Sequence, residues 1–128
     1  SEALKVKPSK EYIAENTKSI KTLEELLNDS DCDVRYWVAY NPNCPVEILE
    51  KLSDDSDWRV RCYVAYNPNC SAKILEKLSN DSDYYVRLNV SCNSNCPVEI
   101  LEKLSKDSDS DVRYYANEIL NRIRSVES

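Results

Sequence analysis

The chain is 128 residues long, carries 17 basic against 23 acidic residues for a formal charge of −6, and contains neither His nor Gly. That balance argues against a phosphate clamp on duplex nucleic acid. The missing residue types remove the usual general base, the commonest zinc ligand and every glycine-rich phosphate loop. No apolar stretch approaches the roughly 20 residues of a membrane span and no secretory apolar core follows the first residues, so the default reading is one cytoplasmic domain.

Residues 1–10 carry no repeat and are expected to form a loose leader. From there the chain says one thing over and over: Asp29, Asp55, Asp81 and Asp107 each open the same pattern, 26 residues apart. Fixed-period self-similarity marks a stacked array in which each unit buries its apolar face against its neighbours. A degenerate repeat is predicted over 11–28, where Ile13-Ala14-Glu15-Asn16 matches Val38-Ala39-Tyr40-Asn41 with one residue fewer before the next block. Full repeats follow at 29–54, 55–80 and 81–106. At 107–124 Ile119-Leu120 replaces the Asn-Pro breaker, which predicts a longer capping helix, and 125–128 reads as a tail.

Within a repeat, Ser30-Asp31 supplies side chains that cap a helix start and charge that suits it. The helix carries Val34, Val38 and Ala39 and ends at Asn41-Pro42, since proline disfavours helix in the residue before it. A second start at Cys44-Pro45 places Pro45 at the first helical position. Val46, Leu49 and Leu52 then recur every third residue, a spacing open to a 3₁₀ turn as well as to an α-helix. With no Gly in the chain, Asn and Asp are expected at any left-handed corner.

The pattern Val-Arg-x-x-Val-Ala-x-Asn-Pro-x-Cys-Pro-x-x-Ile-Leu-x-x-Leu resembles the leucine-rich repeat variant family over roughly residues 12–120. Cys stands where that family usually has Thr, and Ser71 and Ser94 replace prolines in single copies. The resemblance implies an all-α fold, a right-handed α-solenoid of alternating α- and 3₁₀-helices without a sheet, in the manner of HEAT and armadillo superhelices. It implies a fold far more than an activity. Some relatives bear a Cys-rich iron–sulfur segment before the repeats. Here no Cys precedes Cys32 and no Cys-x-x-Cys exists, so no cofactor or metal site is assigned. Cys44, Cys70 and Cys96 recur once per repeat at a spacing too wide for a disulfide, and all six cysteines are expected as free thiols.

Asp107-Ser108-Asp109-Ser110-Asp111 imitates the start of a calcium loop, but Val112 stands where such a loop requires Gly. The aspartates gather at the four corners, with Arg35, Arg61, Arg87 and Arg113 each four residues after one of them. Helix capping with i,i+4 compensation accounts for this. The alternative is an acidic inhibitor or nucleic-acid mimic that blocks a basic channel of a partner enzyme. A redox or metal-linked role for the cysteines is a further alternative.

The sharper signal is aromatic. On the first helix of each repeat the recurring positions share one arc and the variable positions share the other. The variable arc carries Tyr36, Trp37 and Tyr40, then Arg59, Tyr63 and Tyr66, then Tyr85, and finally Tyr114 and Tyr115, with Trp58 and Tyr84 at its border. These rings dominate the eleven aromatics of a chain without Phe. Packing within a repeat should itself repeat, whereas recognition should vary; Tyr and Trp make rigid interface anchors with a polar handle. The expected function is therefore non-catalytic protein binding through this face, self-association included. Single-stranded nucleic acid is disfavoured because Arg59 is the one basic residue on the arc.

Overall fold

In the computed structural model, residues 7–127 are described; the first six residues of the expected leader and Ser128 of the expected tail lie outside them. Nine helices and no strand occur among the described residues: α1 (Lys10–Asn16), α2 (Ile20–Leu26), α3 (Cys32–Tyr40), α4 (Val46–Leu52), α5 (Trp58–Tyr66), α6 (Ala72–Leu78), α7 (Tyr84–Cys92), α8 (Val98–Leu104) and α9 (Ser110–Glu127). The last helix continues through residues 125–127, which the sequence reading assigned to a tail.

The long helices begin where they should. Asp31, Asp57 and Asp83 sit in extended conformation at the N-caps of α3, α5 and α7, each accepting the backbone N–H two residues on. Such a cap contributes on the order of 1 kcal/mol over alanine. Pro45 differs from expectation. It is the cap residue of α4, not the first helical one, and provides no side-chain bond. Ser71, at the same place before α6, accepts the Ile74 N–H and so replaces a rigid φ with a bonded cap.

The second helix of each repeat is α, which departs from the 3₁₀-helix implied by the resemblance. Leu49 N–H reaches Pro45 O at 3.1 Å and Ser53 N–H reaches Leu49 O at 2.9 Å, and three-residue bonds such as Asp55 N–H to Leu52 O occur at the ends. Burial gives the reason. Ile48, Leu49 and Leu52 are the buried residues of α4, and positions i, i+1 and i+4 share one face at 100° per residue.

The first helices of successive repeats stack directly, α1 on α3, α3 on α5, α5 on α7 and α7 on α9, while each second helix packs on the first helices flanking it in sequence. Val38, Val64 and Val90, Ala39 and Ala65, and Leu49, Leu75 and Leu101 line up into one continuous buried column.

Two polar ladders fix the register. Asn41, Asn67 and Asn93 are buried, and they do not take left-handed corners: no described residue has positive φ. Their role is to bridge repeats. Asn67 Nδ2 donates to Ala39 O at 2.7 Å and Asn41 O at 2.9 Å, while its Oδ1 accepts the Asn69 N–H at 2.8 Å. Asn41 and Asn93 repeat this arrangement one unit back and one unit on. Each asparagine thereby matches two carbonyls and one N–H that the end of the helix would otherwise strand.

The second ladder corrects the reading of the arginines. Arg61 pairs not with the aspartate four residues before it but with Asp81 of the next repeat, through Nε to Oδ2 at 2.7 Å and Nη2 to Oδ1 at 3.2 Å. Its Nη1 donates to Asp55 O at 2.8 Å. Arg35 with Asp55, and Arg87 with Asp107, do the same. The hydrogen bond donated to the partner aspartate, set against the cost of burial, pushes each of these guanidinium pKa values further up.

Three carboxyls, Asp29, Asp57 and Asp107, set an acid limit. The Arg59 hydrogen bond beside it holds Asp57 down to about 2 despite burial. Asp29 is lowered by the Asp31 N–H and then by Lys10. At Asp107, burial is outweighed by hydrogen bonds from Arg87 and the Asp109 N–H. A carboxyl whose pKa is lower in the folded state stabilises the fold above its unfolded value near ~4, and loses that contribution as pH falls through its folded value. Urea midpoints are accordingly expected to hold steady down to about pH 5 and to fall between about pH 4 and pH 2. A midpoint unchanged at pH 2.5 would show that these pairs contribute nothing.

Candidate functional site

With the recurring positions of the first helices consumed by the stack, the variable positions form the opposite surface. Column by column, period-equivalent residues sit side by side. Tyr36, Cys62, Leu88 and Tyr114 share one column; Trp37, Tyr63, Asn89 and Tyr115 share the next. The rings meet across repeats. Tyr36 stacks on Tyr63 with centroids 5.2 Å apart, and Tyr40 stacks on Tyr66 at 5.8 Å. Trp37 lies against both Tyr40 and Tyr63. Trp58 stacks on Tyr85 at 5.8 Å, and Tyr84 abuts Tyr85. Tyr114 and Tyr115 form a separate pair on α9.

Burial divides these residues. Tyr36, Trp37 and Tyr63 are partly buried against the core, so their rings serve the stack as well as the surface. Tyr40 is half-buried. Trp58, Tyr66 and Tyr85 stand 43%, 54% and 45% exposed, and Tyr114 and Tyr115 are exposed too. Between the two stacked groups runs a cleft of about 390 Å³ whose walls include Tyr36, Tyr63, Tyr66, Trp58 and Tyr85. Side-chain size opens it. Cys62 stands between Tyr36 and Leu88 in its column, and the missing bulk leaves a hollow floored by a thiol.

Arg59 spans the rim. It donates to both Asp57 oxygens, at 3.2 and 3.1 Å, and to Cys32 Sγ at 3.0 Å. Asp33 is 3.8 Å away, and the guanidinium carbon lies 6.0 Å from the Tyr36 ring centroid. Asn89 closes the far end, its Nδ2 donating to Tyr85 O at 2.9 Å.

Two residues escaped the sequence reading. Tyr12 is exposed on α1 and precedes Ile13-Ala14 as Trp37 precedes Val38-Ala39; the shorter spacing of the first repeat hid the equivalence. Asn89, period-equivalent to Trp37 and Tyr63, carries no ring and so gives no signal in a reading led by aromatics.

The acidic corners are occupied. Asp31, Asp57, Asp83 and Asp109 accept backbone N–H groups at helix starts. Asp55, Asp81 and Asp107 hold the arginine ladder and Asp29 holds Lys10. The thiols of Cys44, Cys62 and Cys70 are buried and pushed up to about 12 by that burial, which keeps them protonated at neutral pH. All six cysteines are free. Asp31, Cys32 and Asp33 place three ligand atoms close together at the start of α3, a grouping that capping explains.

A family model described as leucine rich repeat variant matches residues 33–57 and 58–83. These two units are similar to leucine-rich repeat variants. Arg61, Asn67 and Cys70 of the second matched unit have counterparts at Arg87, Asn93 and Cys96 in the unit that follows. A solved structure, of a leucine-rich repeat variant with a novel repetitive structural motif, is 21% identical with a TM-score of 0.39, over 84% of this chain and 64% of that one. The chain thus spans a little under two thirds of that protein's length. No curated protein matches. No helix among the described residues is long and apolar enough to cross a membrane.

Proposed function

We propose that this repeat module binds a protein partner, without catalysis, through the aromatic face of its first helices, centred on Trp58, Tyr66 and Tyr85. The observation that carries this reading is the contrast between the two arcs of the same helices. The inward arc keeps its Val, Arg, Val and Asn through the three full repeats, with Ser91 for Ala as the one change, and is spent on the stack, whereas the outward arc varies and leaves large rings exposed around a cleft. Exposed rings grouped in this way are a costly surface for a lone domain and are typical of interface anchors. Tyr36, Trp37, Tyr40, Tyr63, Tyr114, Tyr115 and Arg59 belong to the same surface, the half-buried rings supporting the exposed ones. The occupied aspartates speak against the acidic-mimic alternative, and six unpaired thiols suit a reducing compartment such as the cytoplasm.

The test is affinity capture from native lysate with the wild-type chain and with Trp58→Ser, Tyr66→Ser and Tyr85→Ser combined. Because these side chains are exposed, the variant should keep its helical circular dichroism. Loss of anchors is expected to cut retention of the captured protein about thirtyfold or more. Undiminished retention by the folded variant would send the search elsewhere on the surface.

A further inference from the structure

The chemistry of the cleft over α5 selects its occupant, and the selection rests on the protein-binding reading above. We propose that the cleft receives an arginine side chain from a basic segment of the partner. Three observations converge. The first is the wall: Tyr36, Tyr63 and Tyr66 on one side and Trp58 and Tyr85 on the other present ring faces and edges to a cleft of about 390 Å³. That volume suits one long side chain with its flanking backbone. Ring faces carry negative quadrupole charge and attract a flat cation. This protein already uses them so, since its own Arg59 guanidinium lies over Tyr36.

The second is the supply of acceptors. Asn89 spends its amide N–H on Tyr85 O, and its Oδ1 takes no donor among the described residues. Asp33, outside the lining but beside Arg59, is half exposed, and its contacts with Arg59 and the Cys32 thiol are both long at 3.8 Å. Both can take guanidinium N–H groups, which are donors only. The third is charge. Arg59, the only cation among the lining residues, has its Nε and Nη2 committed to Asp57 and Cys32, so an anionic ligand finds few free donors. The chain as a whole carries a formal charge of −6, which steers a basic segment toward it. An acidic or purely apolar segment would leave Asn89 Oδ1 without a partner.

The experiment is nuclear magnetic resonance on the ¹⁵N-labelled full chain, following the Trp58 indole and the Asn89 side-chain amide. The probe is an acetylated, amidated Gly-Arg-Gly-Arg-Gly peptide, against matched peptides with citrulline, glutamate or proline in place of arginine. The arginine peptide is expected to shift both signals, with the citrulline peptide at least about tenfold weaker, and Trp58→Ser or Tyr66→Ser should weaken arginine binding about fivefold. Citrulline binding within about twofold of arginine, or proline binding more strongly at the same signals, would overturn the arginine assignment while leaving this face as the docking surface. Shifts confined to α4 and α6 would overturn it too, by showing ordinary attraction to surface carboxylates. Failure of the docking reading itself is registered separately, by capture that survives the triple serine variant.

Discussion

Replacing Asn67 by alanine is expected to lower the free energy of unfolding by about 3–5 kcal/mol, the largest single-residue effect on the stack. The side chain is fully buried and serves three backbone groups at once: Ala39 O, Asn41 O and the Asn69 N–H. Alanine leaves Ala39 O and the Asn69 N–H without their partner and reduces Asn41 O to the Cys44 N–H alone, at a cost of about 1–3 kcal/mol for each group left bare, only partly relieved by relaxation. Asn67→Asp is the sharper comparison. It keeps shape and the acceptor for Asn69 but loses both donated bonds and sets a carboxylate against two carbonyls, so it should be at least as damaging. Urea unfolding followed by circular dichroism reads both. A loss below about 1 kcal/mol for either would remove the asparagine ladder from the account.

Arg61→Ala follows, with an expected loss of about 2–4 kcal/mol. Its side chain and that of Asp81 are 16% and 9% exposed, so the carboxylate left behind has little water to replace two charge-assisted bonds. Asp55 O loses its donor as well. Breaking one partner of such a pair is far costlier than the pair is worth against an apolar substitute. A double change, Arg61→Leu with Asp81→Leu, should therefore recover part of the loss. Arg113→Ala offers the control: it donates only to the carbonyls of Asp107 and Ser108, and its loss should be small, within about 1 kcal/mol. Equal effects at Arg61 and Arg113 would mean that the pairing between repeats adds nothing.

Much of this stack can be read in the chain because its punctuation is local. Asp31 before Val34, and Asn41 before Pro42, announce a helix start and stop by rules that need no neighbour. What lay hidden is what one repeat does to the next. Period alone says that Asn41, Asn67 and Asn93 are equivalent, yet not that each amide reaches back into the preceding unit; asparagine before proline reads as a breaker, and its buried role needs the packing. The arginines mislead for the same reason: an aspartate four residues away is an obvious partner in an isolated helix, whereas the stack places Asp81 nearer to Arg61. The spacing of Val46, Leu49 and Leu52 left the second helix open between two types, and burial of Ile48 with Leu49 decides it.

The aromatic surface was legible as variation, since Tyr36, Cys62, Leu88 and Tyr114 occupy one position and share no packing requirement. The cleft was not, because it arises from the small side chain at Cys62 lying between two larger ones. Nor did the sequence separate Trp37 and Tyr63, which support the core, from Trp58, Tyr66 and Tyr85, which stand free; helical angle places all of them on one side, and ring length decides which fold inward.

The most direct test of the division between holding and binding residues is hydroxyl-radical footprinting of the complex with the captured partner. Binding through the first-helix face predicts that oxidation of Trp58, Tyr66 and Tyr85 falls several-fold on complex formation while Ile20 and Val98, exposed on second helices, oxidise as before. Protection of Ile20 and Val98 with the three rings unchanged would contradict the account.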